Sequence, residues 1–120
     1  MLIDHFFTII SLNRKGDRGM ARLQLNRQSP IYSGHFPSMP VVPGVCSVRI
    51  IHELTERMVS KKLMMIRGDN IKFLGLINPD EAPEIEVEIT LILLDDGDIN
   101  VSSVIKDDGK ILVKFTGCFR

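Results

Sequence analysis

The chain has 120 residues, of which 44% are hydrophobic and 25% are charged. This length and this balance are typical of one globular domain, so we expect a single domain over residues 1–120. The chain carries 15 basic and 15 acidic side chains, which give a formal net charge of zero. Proteins that bind nucleic acid usually carry a basic excess that neutralises phosphates, so the charge balance argues against that class.

The cysteines and the N-terminal residues indicate the compartment. Cys46 and Cys118 are far apart and form no CxxC spacing, which argues against a disulfide framework and favours free thiols. Asp4 lies where a signal peptide would carry lysine or arginine. No apolar run approaches the roughly 20 residues of a membrane-spanning helix. We therefore expect a cytoplasmic protein that is not exported and has no membrane span.

The first third of the chain has the periodicity of two β-strands. Residues 5–12 are apolar and β-branched or aromatic enough for a buried strand, and residues 13–17 form a turn. Residues 20–26 alternate between apolar and polar side chains, which predicts a strand with one wet face. The buried face of that strand is predicted to carry Ala21, Leu23 and Leu25.

A long helix is predicted in the middle of the chain. Four prolines and two glycines between Pro30 and Gly44 exclude regular structure there. From Val45 to Val59, apolar residues cover more than half of a helical circumference. The remaining narrow polar strip carries Arg49, Glu53, Glu56 and Arg57. A helix this apolar is expected to be largely wrapped by other structure.

Four further strands follow, over residues 66–77, 84–91, 99–105 and 111–119. Asp–Gly turns at residues 95–98 and 107–109 predict hairpin connections between the last three. One buried helix and about six mostly antiparallel strands indicate an α+β fold. In this fold, a curved antiparallel sheet is wrapped around one long central helix.

The stretch from Tyr32 to Val45 carries the most specific pattern in the chain. It reads Gly-His-Phe-Pro, two residues, Pro, two apolar residues and Pro-Gly-Val. The motif resembles, in register throughout, that of the 3-hydroxyacyl-acyl-carrier-protein dehydratases, which have the hotdog fold. Residues 70–73 and 77–80 resemble, more weakly, that family's dimer-edge strand and the turn after it. Clear similarity covers about half of the chain.

The resemblance implies roles for the matching residues. His35 would be the base that removes the α-proton of the substrate, and the amide of Gly44 would hold the thioester oxygen. The substrate tunnel would lie at a dimer interface, where the partner's helix completes the site. The expected substrate-binding residues are Phe36, Pro43, Gly44 and Val45, with Phe36 in the tunnel wall or in the core.

Elementary chemistry supports this placement. Pro37, Pro40 and Pro43 fix backbone angles and remove hydrogen-bond donors, which predicts a rigid loop. Gly44 then begins a helix, where unpaired N–H groups and the positive end of the dipole favour developing negative charge. An imidazole such as that of His35 can accept a proton at neutral pH.

The chain departs from the family pattern on the central helix. Family members place Glu or Asp fourteen positions after the histidine, and this position is Arg49 here. One helix turn further, about 5.4 Å along the axis, many members have glutamine and this chain has Glu53. Arg49 and Glu53 are both candidate catalytic residues, although an i, i+4 pair of this kind is often a plain helix ion pair.

Three consequences of this departure stay open. Glu53 could supply the proton for the departing hydroxyl from one turn further away, and it is the best available acid. Arg49 could bind the hydroxyl or a carboxylate, since a guanidinium is a poor proton donor. Alternatively, catalysis is lost and the subunit only binds acyl chains or forms a heterodimer with a mate that supplies the acid.

The sequence therefore predicts a dehydratase-like protein that converts 3-hydroxyacyl to 2-enoyl thioesters on acyl carrier protein or coenzyme A. A hotdog thioesterase and a non-catalytic subunit are the alternatives. A homodimer is expected because the sheet leaves an edge strand to cover, with a trimer of dimers as a larger assembly. No metal or organic cofactor is implied. The basic clusters at residues 14–18 and 61–62 could meet a phosphopantetheine arm or an acidic carrier.

Overall fold

The computed structural model describes residues 2–34 and 39–120, which contain six strands and two helices. The strands are β1 (Phe7–Lys15), β2 (Arg18–Leu25), β3 (Met65–Phe73), β4 (Glu84–Leu93), β5 (Ile99–Asp107) and β6 (Lys110–Phe119). The helices are α1 (Pro30–Gly34) and α2 (Gly44–Val59).

All six strands form one antiparallel sheet in the order β1-β2-β4-β5-β6-β3, which curves around α2. The core lies between the helix and the concave face of the sheet. Ile50, Ile51 and Leu54 of α2 are fully buried, and fully burying one such side chain contributes about 1.5–3 kcal/mol. The predicted α+β architecture, with about six strands around one long helix, is confirmed.

The first strand differs from its prediction. β1 is an edge strand whose side chains are mostly exposed, including half of Ile10, so the expectation of a buried strand was wrong. The predicted turn is also shorter, because Lys15 already pairs with Arg18 around Gly16, which has a φ of 64°. A glycine at that positive φ allows a two-residue hairpin turn, so both strands extend towards it.

The Pro30–Gly44 segment was predicted to lack regular structure, and α1 corrects this. Pro30 is the first residue of α1, where proline has no hydrogen bond to lose and its fixed φ suits a helix. Ser29 precedes it, and its side-chain oxygen accepts a hydrogen bond from the amide of Ile31 at 3.4 Å. Proline therefore begins a short helix here.

The central helix agrees closely with its prediction: it begins at Gly44, the start that the motif predicted and one residue before the apolar periodicity. It ends at Val59, and the next residue, Ser60, turns the chain with a left-handed φ of 57° and donates its amide to the carbonyl of Glu56. The helix packs closely against β2, because a Cβ added at Gly19 would lie 2.5 Å from the Met58 side chain. The predicted polar strip is not uniform, because Glu53 is only 3% exposed.

The third strand is shorter than predicted and ends at Phe73 instead of residue 77. Beyond it, the amides of Leu74 and Gly75 both donate to the carbonyl of Leu112. The chain then crosses towards the segment that precedes α2, where the carbonyl of Ile77 accepts a hydrogen bond from Val42 at 2.8 Å. This contact ties the loop before the helix to the sheet.

Candidate functional site

The start of α2 has the geometry expected of an anion-binding helix end. Pro43 precedes the helix with φ −59° and ψ 146°, and its carbonyl accepts hydrogen bonds from Cys46 and Ser47. The amides of Gly44 and Val45 have no acceptor within residues 2–34 and 39–120. Unpaired N–H groups at this end of a helix favour negative charge.

Gly44 lies close to an aromatic side chain of the neighbouring strand. A Cβ added there would lie 2.8 Å from Cζ of Phe73, on the edge strand β3. The ring of Phe73 therefore packs directly over the first residue of α2. Val45 is next to this contact and is 75% exposed, while Pro43 is half-buried.

Two of the predicted site residues, His35 and Phe36, lie outside the described residues. Their predicted roles therefore stay predictions. The described part of the motif is Gly34 at the end of α1 and Met39 onwards.

Arg49 and Glu53 are joined on the helix. Nε of Arg49 donates to Oε2 of Glu53 at 2.9 Å, so the i, i+4 ion pair weighed from the sequence is present. The two side chains differ in exposure, at 40% for Arg49 and 3% for Glu53. Arg49 also places Nη1 3.3 Å from Nδ1 of His52.

The carboxylate of Glu53 anchors the N-terminal segment. Its oxygens accept hydrogen bonds from the amide of Leu2 at 2.8 and 3.0 Å and from the amide of Ile3 at 2.9 Å. Burial alone would raise the pKa of Glu53, but these amides and Arg49 outweigh it and hold the pKa below its usual range. The group is therefore an ionised acceptor at neutral pH, with no proton to donate.

This anchor could not be predicted from side-chain patterns, because its donors are main-chain amides that every residue except proline carries. The N-terminal segment that Glu53 anchors through these amides forms a tight turn. The carbonyl of Leu2 accepts from the amides of His5, Phe6 and Phe7, and Asp4 adopts a φ of 65°. A positive φ at an aspartate in a tight turn is a local feature that apolar periodicity does not reveal.

His52 is held by packing and hydrogen bonds. Its Nε2 lies 2.7 Å from the carbonyl of Leu63, and its ring is 4.9 Å from that of Phe119. A carbonyl can only accept and an arginine can only donate, so Nε2 carries the proton and Nδ1 accepts from Arg49. His52 thus fixes the Arg49 side chain from a second direction.

Two buried groups lie near the start of α2. Burial raises the pKa of the Cys46 thiol, which makes a nucleophilic thiolate unfavourable. Burial, and then the neighbouring Cys46, raise the pKa of the Tyr32 phenol. The Tyr32 hydroxyl has no hydrogen-bond partner in the part of the chain that the structure describes. No role for Tyr32 was predicted from the sequence.

Several exposed apolar side chains lie on the elements around the helix start, and we call this set the edge face. They come from β3, from the segment after it and from the first turn of α2. The edge face consists of Val45, Ile71, Phe73, Leu74 and Leu76, which are 37–75% exposed. Within residues 2–34 and 39–120, β3 pairs only with β6, so its other side presents main-chain groups that no described strand pairs with.

Other features bear on the kind of site. The described residues hold no group of three or more His, Cys, Asp or Glu side chains that could bind a metal ion. None of their helices is long and apolar enough to cross a membrane. Basic side chains gather where α2 ends, and Nη1 of Arg14 donates to the carbonyl of Met58 at 2.6 Å.

Sequence comparisons identify relatives of the chain. The family model for ApeI-like proteins, described as ApeI dehydratase, matches residues 11–102. The 3-hydroxyacyl-acyl-carrier-protein dehydratase FabZ of Rickettsia canadensis is 29% identical over 133 residues, covering 100% of this chain and 87% of the relative. FabZ of Natranaerobius thermophilus is 27% identical over 124 residues, covering 93% of this chain and 82% of the relative. The predicted resemblance to these dehydratases is confirmed.

Solved structures share the fold. The dehydratase heterocomplex ApeI:P from Xenorhabdus doucetiae is similar with a TM-score of 0.76 and 15% identity, covering 93% of this chain and 96% of that one. A putative thioesterase from Ralstonia eutropha gives a TM-score of 0.65 and 14% identity, covering 94% of this chain and 83% of the other. At such identities these likenesses establish the fold alone, and they confirm the predicted hotdog fold.

Proposed function

Because the chain belongs to the ApeI-like dehydratase family, we propose that it removes water from a 3-hydroxyacyl thioester to give the 2-enoyl thioester. The thioester would be carried by acyl carrier protein or coenzyme A, in fatty-acid-type or related biosynthesis. One observation carries the proposal. The Gly-His-Phe-Pro motif leads into a helix whose first amides, of Gly44 and Val45, have no acceptor among the described residues.

In the first step, His35 takes the α-proton of the substrate and negative charge develops on the thioester oxygen. The amide of Gly44 donates a hydrogen bond to that oxygen, supported by the helix dipole. Removing one such donor from an enzyme typically costs about 10²–10³ in rate. Pro43 and Val45 flank Gly44 and would contact the thioester end of the substrate.

The second step needs a proton for the departing hydroxyl. Glu53 was the best acid that the sequence offered, but its carboxylate accepts from two amides and from Arg49 and is ionised at neutral pH. We therefore assign the proton to His35. The imidazolium formed in the first step gives its proton to the 3-hydroxyl as the C3–O bond breaks, so water leaves and His35 returns to its neutral form.

The edge face is the surface through which we expect a partner subunit to bind. Five exposed apolar side chains beside an unpaired strand edge favour association through β3, and a second copy would place its own α2 near this helix start. We propose a homodimer, with a trimer of dimers as a larger assembly. Its cytoplasmic location would keep the buried Cys46 and Cys118 reduced.

Sedimentation of a Phe73→Asp variant tests this association. A charge in the middle of the edge face is expected to weaken the dimer by at least tenfold, as loss of a central aromatic contact does. Ile92→Asp is the matched control, because Ile92 is equally exposed, at 56% against 55%, but lies on β4. Equal dimerisation of both variants, or a monomeric wild-type protein at micromolar concentration, would contradict the proposal.

The activity test is incubation of the purified protein with a 3-hydroxyacyl thioester, followed by mass spectrometry for loss of water. We expect interconversion of the hydroxyacyl and enoyl forms, and its loss in His35→Ala. His5→Ala is the control, since the His5 side chain is exposed in the N-terminal turn. Turnover that survives His35→Ala would refute the mechanism.

A non-catalytic subunit is the second candidate, favoured by the Arg49–Glu53 pair that occupies the helix where the family acid is expected. The solved ApeI:P relative is a dehydratase heterocomplex. In that case the protein alone would bind acyl thioesters without turnover, and a second hotdog subunit would restore it. Release of thiol from a saturated acyl thioester would instead indicate a thioesterase, because dehydration liberates none.

A further inference from the structure

Arg49 lies on the helix face that continues from the proposed oxyanion site. It follows Val45 by four residues, so the two side chains share one face of α2. It lies five positions after Gly44, about 7.5 Å along the helix axis. An acyl chain that begins at the Gly44 amide and runs along this face passes within reach of the long arginine side chain.

The guanidinium of Arg49 is fixed from two directions. Glu53 accepts from Nε at 2.9 Å, and Nδ1 of His52 lies 3.3 Å from Nη1. Both partners are anchored in turn, Glu53 by the amides of the N-terminal segment and His52 by the carbonyl of Leu63. Nη2 has no acceptor in the described ranges, although Arg49 is 40% exposed.

Glu53 also sets what this group can recognise. Its carboxylate cancels the charge of Arg49 while it occupies only one edge of the guanidinium. The remaining donors therefore belong to a nearly neutral pair, which offers little net attraction to a carboxylate or phosphate. They suit a neutral oxygen acceptor, such as a hydroxyl.

From this geometry we infer that Arg49 binds the 3-hydroxyl oxygen of the substrate and that Glu53 and His52 are its positioning residues. The inference rests on the proposed dehydratase function and deepens it. Arg49 donates hydrogen bonds to the hydroxyl and gives up no proton, which leaves His35 to protonate the departing oxygen. The planar guanidinium stabilises that oxygen as its bond to C3 lengthens.

Ligand binding tests this assignment without turnover. In a His35→Ala background, affinities are measured for 3-hydroxyoctanoyl-CoA and octanoyl-CoA, which differ only in the hydroxyl. Adding Arg49→Gln should weaken binding of the hydroxylated ligand by about ten- to a hundredfold, the range for a hydrogen bond from a charged group. Binding of octanoyl-CoA should change less than about twofold, since it makes no such bond.

Arg57→Gln is the matched control, because it removes the same charge from the exposed side of the same helix. Arg49→Lys keeps the charge and the ion pair but has no planar fork, so it should lose most of the preference for the hydroxyl. Thermal unfolding of each variant shows that it is folded. A preference that survives both Arg49 variants, or equal weakening of both ligands, overturns the inference.

This outcome is separable from failure of the proposed function. A wild-type chain that binds neither thioester, and converts none, refutes the dehydratase proposal and the inference with it. A wild-type chain that dehydrates its substrate while the Arg49 variants keep their preference for the hydroxyl refutes only the role of Arg49.

Discussion

The two ends of α2 are built in opposite ways. At the N-terminal end, Gly44 and Val45 present amides that have no acceptor among the described residues, and the Val45 side chain is mostly exposed. Further along, polar groups are paired. Glu53 accepts hydrogen bonds from the amides of Leu2 and Ile3 and from Arg49. Arg14 donates to the carbonyl of Met58. A helix end left unsatisfied costs stability, so it is tolerated where a ligand can use it.

The difference between the ends separates stability from activity. Changes in the paired half should lower the free energy of unfolding, whereas changes at the open end should act mainly on catalysis. Four substitutions or conditions test this separation.

The largest effect on stability is expected for Glu53→Gln. The amide keeps the shape of the side chain but loses the charge that binds the amides of Leu2 and Ile3, and its NH2 group faces other donors. A buried hydrogen bond to a charged group contributes about 1.5–3 kcal/mol, so we expect a loss of about 3 kcal/mol in urea unfolding. Glu84→Gln, in the exposed pair with Arg22, should cost less than about 1 kcal/mol. Equal losses in the two variants would show that the anchor contributes little.

Gly44→Val should act at the open end. The new side chain would meet the ring of Phe73, where a Cβ alone would lie 2.8 Å from Cζ, and so displace the helix start. A shift of about 1 Å in a catalytic group can cost about a hundredfold in rate, and we expect a fall of that order in kcat. Combining it with Phe73→Leu should recover part of the activity. An unchanged kcat in the single variant would mean that the Gly44 amide takes no part.

Acid should weaken the paired half first. The native pKa of Glu53 lies below the ordinary glutamate value of about 4.3, so the native state binds fewer protons than the unfolded state near that pH. Its stabilising contribution is therefore complete above about pH 4.3 and is lost as the pH falls through the lower native pKa. Unfolding at several pH values should show a smaller acid dependence in Glu53→Gln than in the wild-type protein. Identical pH dependence in both would contradict the assignment.

Arg14→Ala should have the smallest effect. It removes one donor from the carbonyl of Met58 at the helix end, where a positive charge is also favourable, and about 0.5–1.5 kcal/mol is expected from denaturant midpoints. Lys15→Ala, on the same hairpin, is the control for charge alone. A larger loss in Lys15→Ala than in Arg14→Ala would show that the bond to Met58 is unimportant.

Periodicity was sufficient to predict the strand order and the central helix, because both depend on repeated apolar faces. β2 alternates strictly between exposed and buried residues, and β4 alternates between buried residues and exposed or half-buried ones from Glu84 to Leu91. α2 begins within one residue of its prediction. α1 was missed because proline was taken as a breaker, although Pro30 is at a helix start. The exposure of β1 could not be foreseen, since composition does not say which strand lies at an edge.

The candidate site was predictable where it depends on a contiguous motif and unpredictable where it depends on tertiary contacts. The glycine at the helix start was identified from the Pro-Gly-Val sequence. The state of Glu53 was not, because its partners, Leu2 and Ile3, are about 50 residues away and act through the main chain. A carboxylate that looks like an acid on a helix strip is in fact held ionised.

The unequal edges of the sheet limit how far the protein can assemble. The β3 edge ends in the exposed apolar side chains of Ile71 and Phe73, whereas the β1 edge ends in Asn13, Arg14 and Lys15, whose side chains are exposed. A strand edge rich in cations repels an identical edge. In the proposed dimer, association through β3 would therefore cover this edge in both copies, and the joined sheet would stop growing at two subunits instead of extending into a fibre.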